Sequence, residues 1–425
     1  MSHDKPIRKE PLPWEFPGAN WIDEQESSMV EQVIKAHSPF RYYGPDLQHM
    51  VDRLEEAFVK KYAVPYALGV SSGTAALHVV LGAFGVGPGD EVLLPGYMWV
   101  SCISAIVRLG AIPVLVDIDE TFCMSPYHLG QKITPRSKAV ICVHMSGAPG
   151  HIDQISNIAK EHKLYLLEDC AQAAGSSFQG KPVGTFGDAA IFSFQLNKNM
   201  TSGEGGMIVC QDEAIYRRCF AIHDLGFPRN EAGRLDTQDE SCQLWGIGAR
   251  MSELTAAFAL AQFGKLDAIT QAMRQAKWRI REALSSIEGL YFRDIPSPEG
   301  DSGPFLITIY PDEEICQKFT SMLFELGIKG QPGSLACVTM RDWGLHWYFN
   351  NLNLVNKRSL SVDGFPWTHP ANAFAKTIDY HYGSLPVCDD LHGRSALLTI
   401  ASDLNDEDCE QIIEAFKIAA KQLLT

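Results

Sequence analysis

Phe192-Ser193-Phe194-Gln195-Leu196-Asn197-Lys198-Asn199-Met200-Thr201-Ser202-Gly203-Glu204-Gly205-Gly206 is the stretch on which the reading of this chain turns. An apolar run stops at Phe194, a lysine follows, and a loop dense in glycine and hydroxyl groups leads to the next apolar run, Met207–Val209. A lysine is ordinarily a solvated surface side chain. This loop is too specialised for that ordinary reading, and Lys198 becomes the first candidate for chemistry.

Outward from it, a β/α alternation begins at Tyr66. Apolar runs recur at Tyr66–Val70, Glu91–Leu94, Ile112–Asp117, Ala139–His144, Leu164–Glu168 and Ala189–Phe194. Helical periodicity lies between them, clearest at His151–Lys163, where Ile152, Ile155, Ile158 and Ala159 share a face. Such a pattern predicts an α/β fold with a mainly parallel sheet sandwiched by helices. Residues 24–62 read as helical, and residues 252–288 as one long helix or two. After the loop Pro296–Gly303 the grammar changes to a strand (Pro304–Tyr310), a helix (Glu313–Leu326), an aromatic, Asn-rich run (Trp343–Asn353) and a final amphipathic helix. The expected organisation is an N-terminal arm over 1–24, a large domain over 25–285 and a smaller α+β domain over 286–425.

The 425 residues, 46% hydrophobic and 20% charged, have globular proportions and exclude a disordered or collagen-like chain. With 36 basic and 51 acidic residues the net charge is −15, which repels a phosphate backbone and argues against nucleic acid. The 11 cysteines show no C-x-x-C spacing, so they read as core residues in a reducing cytoplasm, with no metal site. The N-terminus lacks the apolar run of a signal peptide, and no segment approaches the roughly 20 apolar residues of a membrane span. A cytoplasmic protein away from membranes is expected.

Three further segments carry candidate chemistry. Ser71-Ser72-Gly73-Thr74-Ala75-Ala76-Leu77 follows a strand and opens a helix, where unpaired N–H groups suit a phosphate. Leu166-Leu167-Glu168-Asp169-Cys170-Ala171-Gln172 ends a strand in two carboxylates, at the edge where open α/β sheets bind ligands. Trp245-Gly246-Ile247-Gly248-Ala249-Arg250-Met251-Ser252 feeds a long helix through a hydroxyl cap. Gly85-Val86-Gly87-Pro88-Gly89 follows a helix and is a turn.

In this order these segments resemble the DegT/StrS family of pyridoxal-phosphate aminotransferases, through SSGTAAL, GVGPGDEVLLP, GAIPVLVDID, EDCAQAAG, SFQLNKNMTSGEGG and RMSELTAAFALAQ. The resemblance implies a fold-type-I transferase holding pyridoxal 5'-phosphate as a covalent aldimine at Lys198. It gives Asp169 the ring nitrogen, Trp99 the ring face, Gln172 the phenolic oxygen, and Gly73, Thr74 and Ser193 the phosphate. Opposite charges about 4 Å apart are worth roughly 4 kcal/mol at an effective dielectric near 20, enough for Asp169 to keep that nitrogen protonated. It further implies a homodimer with shared active sites, in which an amino acid, glutamate or glutamine, donates to a keto-sugar acceptor. Gly248 departs from the family, which usually has Asn there as a phosphate donor to the partner's site; a Gly248 or Ala249 N–H or a water could substitute.

The run Trp343–Asn351 looks like the subgroup that contains the transaminase making 8-amino-3,8-dideoxyoctulosonate, a lipopolysaccharide sugar. His346, Asn350 and Asn351 are its candidates for meeting substrate hydroxyls. The alternatives are a glutamine-dependent inosose aminotransferase and a binding protein that keeps the fold without the chemistry. Family dehydratases carry His in place of Lys198, and this chain does not.

Overall fold

Every residue of the runs Glu91–Pro95, Ala189–Ser193 and Gly206–Cys210 is buried, as strands covered on both faces must be. In the computed structural model, which describes residues 6–424, these are three of the strands in a seven-stranded sheet. In chain order the strands are β1 (Tyr66–Val70), β2 (Glu91–Pro95), β3 (Ile112–Val116), β4 (Ser137–Val143) and β5 (Tyr165–Asp169). A short pair, β6 (Ser177–Phe178) and β7 (Lys181–Pro182), stands apart, and β8 (Ala189–Ser193) and β9 (Gly206–Cys210) follow.

The sheet order is β1-β9-β8-β5-β4-β2-β3. β9 runs antiparallel to both its neighbours, and every other pairing is parallel. The carboxyl ends of β1, β2, β4, β5 and β8 therefore share one edge, the edge where such sheets bind ligands. This is the mainly parallel α/β sheet that the apolar runs imply.

A second sheet is wholly antiparallel: β10 (Tyr291–Phe292), β11 (Phe305–Ile309), β13 (Ser395–Thr399) and β12 (Cys337–Thr339), in that order. The 32-residue helix Glu253–Leu284 joins the two sheets. Its first turns bury Ala256, Ala257 and Ala259 against Phe58 and Phe192. Its later turns bury Ile269, Met273, Ile280 and Leu284 beneath the second sheet. The N-terminal segment crosses this second lobe, where the Ile7 and Leu12 N–H groups donate to the carbonyls of Leu326 and Lys329.

Residues 340–391 depart from a simple division near 285. Met340, Trp347, Tyr348, Tyr380 and Leu391 are buried in the core of the first sheet. Trp347 stacks on Tyr97 with ring centroids 4.3 Å apart, and the Tyr380 hydroxyl donates to the Pro113 carbonyl at 2.7 Å. The physical reason is that large aromatic side chains bury most area where an apolar wall already stands, and the first sheet provides it.

All eleven cysteines are free thiols, nine of them buried. Among the described residues no helix is long and apolar enough to cross a membrane.

Glu253 ties two helices together. The helix Met50–Tyr62 begins at His49, whose side chain gives no cap. The buried Glu253 carboxylate supplies one instead, accepting from Met50 N at 2.7 Å and Val51 N at 3.1 Å. Helix starts leave such donors orphaned unless a partner arrives. Glu253→Ala is expected to lower the unfolding free energy by about 2–4 kcal/mol, read as a lower urea midpoint in chemical denaturation.

Candidate active site

β5 ends in two carboxylates with opposite fates, because successive side chains of a strand point to opposite faces. Glu168 faces the interior. Its oxygens accept from Phe186 N, Gly187 N and Gly184 N at 2.7–2.8 Å and from His144 Nε2 at 2.9 Å, which fixes the turn before β8. His144, Glu168 and Cys170 form a cluster close enough for a metal ion, yet Glu168's donors account for its oxygens and give it a structural role.

Asp169 faces a cavity of about 640 Å³ at the carboxyl edge of the sheet. Lys198 lines the same cavity, together with Gly73, Thr74, Trp99, Gln172 and Ser193. Asp169 Oδ1 accepts from Ala171 N at 3.0 Å and Oδ2 from the Cys102 thiol at 3.2 Å. Among the described residues, Lys198 Nζ makes no hydrogen bond or ion pair. Burial pushes its pKa down, opposed by the charges of Asp169 and Glu204.

The helix Gly73–Ala83 opens at the cavity. Ser72 caps it by accepting from Ala75 N. Among the described residues the Gly73 and Thr74 N–H groups keep no partner. The Thr74 and Ser101 hydroxyls lie 2.8 Å apart beside them. A Cβ on Gly73 would stand 2.8 Å from the Ser193 Cβ, so this close approach of helix and strand end requires glycine.

Trp99 is 42% exposed and lines the cavity. Gln172 Oε1 accepts from Ser146 N at 2.9 Å, leaving its amide free to donate. Ser146 is held in a left-handed conformation, φ 55° and ψ 31°, inside a turn whose Met145 and Ala148 carbonyls both accept from the buried Arg293 at 2.7 Å.

The residues present fit pyridoxal phosphate. Orphan helix N–H groups and hydroxyls suit a phosphate dianion. The unpartnered amine suits an aldehyde, the carboxylate a protonated ring nitrogen, and the exposed indole a flat ring.

Residues 20–333 match the DegT/DnrJ/EryC1/StrS aminotransferase family. The chain belongs to this family. It is 40% identical over 242 residues to the GDP-perosamine synthase of Escherichia coli O157:H7, covering 56% of this chain and 64% of that protein. The match thus reaches just under two thirds of that relative's length. Over 300 residues it is 38% identical to a Streptomyces kanamyceticus protein named for L-glutamine:3-amino-2,3-dideoxy-scyllo-inosose aminotransferase activity, covering 70% of this chain and 68% of that one. The crystal structure of 3-amino-5-hydroxybenzoic acid synthase aligns with a TM-score of 0.76 at 26% identity, covering 97% and 99% of the two chains.

Against the family pattern, Gly248 adopts φ +66°. Its N–H donates to the Asp224 carbonyl at 2.8 Å, and Ala249 N to the His223 carbonyl at 2.6 Å. Both backbone N–H groups offered as substitute donors are therefore already taken, which leaves water as the remaining substitute. Of the three substrate candidates, only His346 lines the cavity. Asn350 donates its amide to the Gly344 carbonyl at 2.9 Å, and Asn351 is buried as the cap of the short helix Leu352–Val355. Local backbone groups claim these two amides, as Asn side chains near turns commonly allow.

Sequence reasoning missed Ser101 and Cys102, which lie two and three residues after Trp99 and reach Thr74 and Asp169. Their only signal was closeness to Trp99, and Cys102 reads from sequence as a plain core residue. Glu15 also lines the cavity, with no sign of it in the sequence, and so do Trp343 and Glu204, from runs already singled out.

Because burial depresses the Lys198 pKa, its neutral amine forms at lower pH than that of an exposed lysine. In cofactor-free protein an amine-directed reagent is expected to label Lys198 with a midpoint below that of surface lysines, measured by peptide mass spectrometry across pH. Unfolding should erase the difference.

Proposed function

We propose that this chain is a pyridoxal-phosphate-dependent aminotransferase that moves an amino group from glutamate or glutamine to a keto sugar or cyclitol. The observation that carries this is the unpartnered Lys198 amine and the Asp169 carboxylate in one cavity, with an open helix start on its wall. When bound, pyridoxal phosphate supplies an aldehyde for the amine and a ring that withdraws electrons.

Lys198 Nζ, made nucleophilic by burial, would take a proton from the amino-bearing carbon of the donor in one half-reaction and give one to the former carbonyl carbon of the acceptor in the other. Asp169 would hold a proton on the ring nitrogen. Gly73, Thr74 and Ser193 would hold the phosphate, Trp99 would cover the ring face, and Gln172 would donate to the phenolic oxygen. Val143, Met145 and Ile191 close the cavity with apolar wall and keep water from the exchange.

His346 supports a polyol acceptor. Its ring lies 4.4 Å from Trp343, nearly parallel, and 4.8 Å from Trp99. Burial lowers its pKa to about 4, so it is neutral at physiological pH. Nδ1 donates to the Trp343 carbonyl at 2.8 Å, which leaves Nε2 as an acceptor for a sugar hydroxyl.

Among acceptors, 8-keto-3-deoxyoctulosonate of lipopolysaccharide sugar biosynthesis is the sugar-acid candidate. A cyclitol ketone is the alternative, which the name of the Streptomyces relative favours. A second copy of the chain would complete the site in a cytoplasmic homodimer. Trp245, 94% exposed, and the exposed Ile247 lie just before Gly248 and offer that copy an apolar contact.

The wild-type protein is expected to take up pyridoxal phosphate, with borohydride fixing the cofactor's mass on the Lys198 peptide. Glutamate or glutamine, then each keto acceptor in turn, should change the cofactor absorbance in two separate half-reactions. Lys198→Ala should bind cofactor and transfer no amino group. Normal turnover by that variant would refute the assignment, and the acceptor that restores the spectrum decides between sugar and cyclitol.

A further inference from the structure

Residues 99–102 touch three walls of the cavity in one turn of chain. Trp99 presents its indole to the cavity, Ser101 Oγ reaches Thr74 Oγ1 at 2.8 Å, and Cys102 Sγ reaches Asp169 Oδ2 at 3.2 Å. The Cys102 N–H donates to the Trp99 carbonyl at 3.1 Å, so the same backbone sets all three side chains. Cys102 is wholly buried. Burial, followed by the neighbouring Asp169 charge, raises its pKa well above the ordinary thiol value. It therefore stays protonated and acts as a donor.

We propose that Cys102 is a positioning residue that orients the Asp169 carboxylate through its S–H···Oδ2 hydrogen bond. Ala171 N holds Oδ1 and Cys102 holds Oδ2, so the carboxylate is pinned at both oxygens against rotation about its last bond. A thiol is a weaker donor than a hydroxyl. It fixes direction while withdrawing little charge, and Oδ2 keeps a lone pair for a second donor. The contact between thiol and carboxylate stands by itself, whereas the identity of that second donor as a cofactor ring nitrogen rests on the function proposed above.

Two measurements test the inference and separate it from that function. The first takes infrared spectra of the S–H stretch in cofactor-free wild type, Cys102→Ala and Asp169→Asn. The band missing from Cys102→Ala should lie at hydrogen-bonded frequency in wild type and move toward the free-thiol frequency in Asp169→Asn. A band at free-thiol frequency in wild type, or one unmoved by Asp169→Asn, overturns the proposal.

The second titrates pyridoxal 5'-phosphate into wild type, Cys102→Ala, Cys102→Ser and Cys102→Val. Loss of the donor in Ala should weaken binding by about tenfold, Ser should restore it, and Val, which fills space without donating, should not. Equal rescue by Val and Ser would make Cys102 a packing residue and overturn the proposal. If wild type bound no pyridoxal phosphate, the cofactor reading would fall, and the infrared result would still decide the thiol–carboxylate pair.

Discussion

A half-buried lysine amine on a cavity wall, without a partner among the described residues, is the constraint around which the rest of the structure is arranged. Desolvation disfavours the charged form of Lys198, while Asp169 and Glu204 favour it. An amine balanced in this way is both a nucleophile and a proton carrier, provided that a carboxylate shares its cavity without neutralising it by direct contact. The donors on Asp169, Ala171 N and Cys102 Sγ, occupy that carboxylate from the protein side. Nothing in a sheet of this size needs such a balance for stability, so its presence points to chemistry.

The sheet makes the arrangement possible. Parallel strands bring five carboxyl ends to one edge, and each end contributes a different wall. The helix start after β1, Trp99 after β2, Met145 after β4, Asp169 of β5 and Ser193 of β8 all reach the cavity. The alternation of strand faces then divides labour between neighbours. Glu168 turns inward to fix a turn through backbone N–H groups, and Asp169 turns outward to the cavity. The long helix Glu253–Leu284 fixes the second lobe relative to this edge, and Arg293 from that lobe holds the turn that presents Ser146 to Gln172.

Much of this was legible in the residue order, for local reasons. The apolar run Ile112–Asp117 appears as the strand Ile112–Val116, and Ser252 caps its helix by accepting from Thr255 N. Patterns of this kind depend on period and capping, which sequence carries directly. Lys198, Asp169, Gly73, Thr74, Trp99, Gln172 and Ser193, drawn from separate stretches of the chain, line one cavity. What sequence could not carry were choices made by tertiary partners. Asn350 and Asn351 read as sugar donors until local carbonyl and N–H groups are seen to occupy them. The stacking of Trp347 on Tyr97, and the turn of Cys102 toward Asp169, depend on segments distant in the chain.

The most direct measurement of the central claim is a crystal structure of the wild-type protein soaked with pyridoxal 5'-phosphate. The account expects electron density continuous with Lys198 Nζ, the ring nitrogen within hydrogen-bonding distance of Asp169, and the phosphate at the N–H groups of Gly73 and Thr74. A cofactor bound elsewhere, or one seated in this cavity with its ring nitrogen turned away from Asp169, would contradict it.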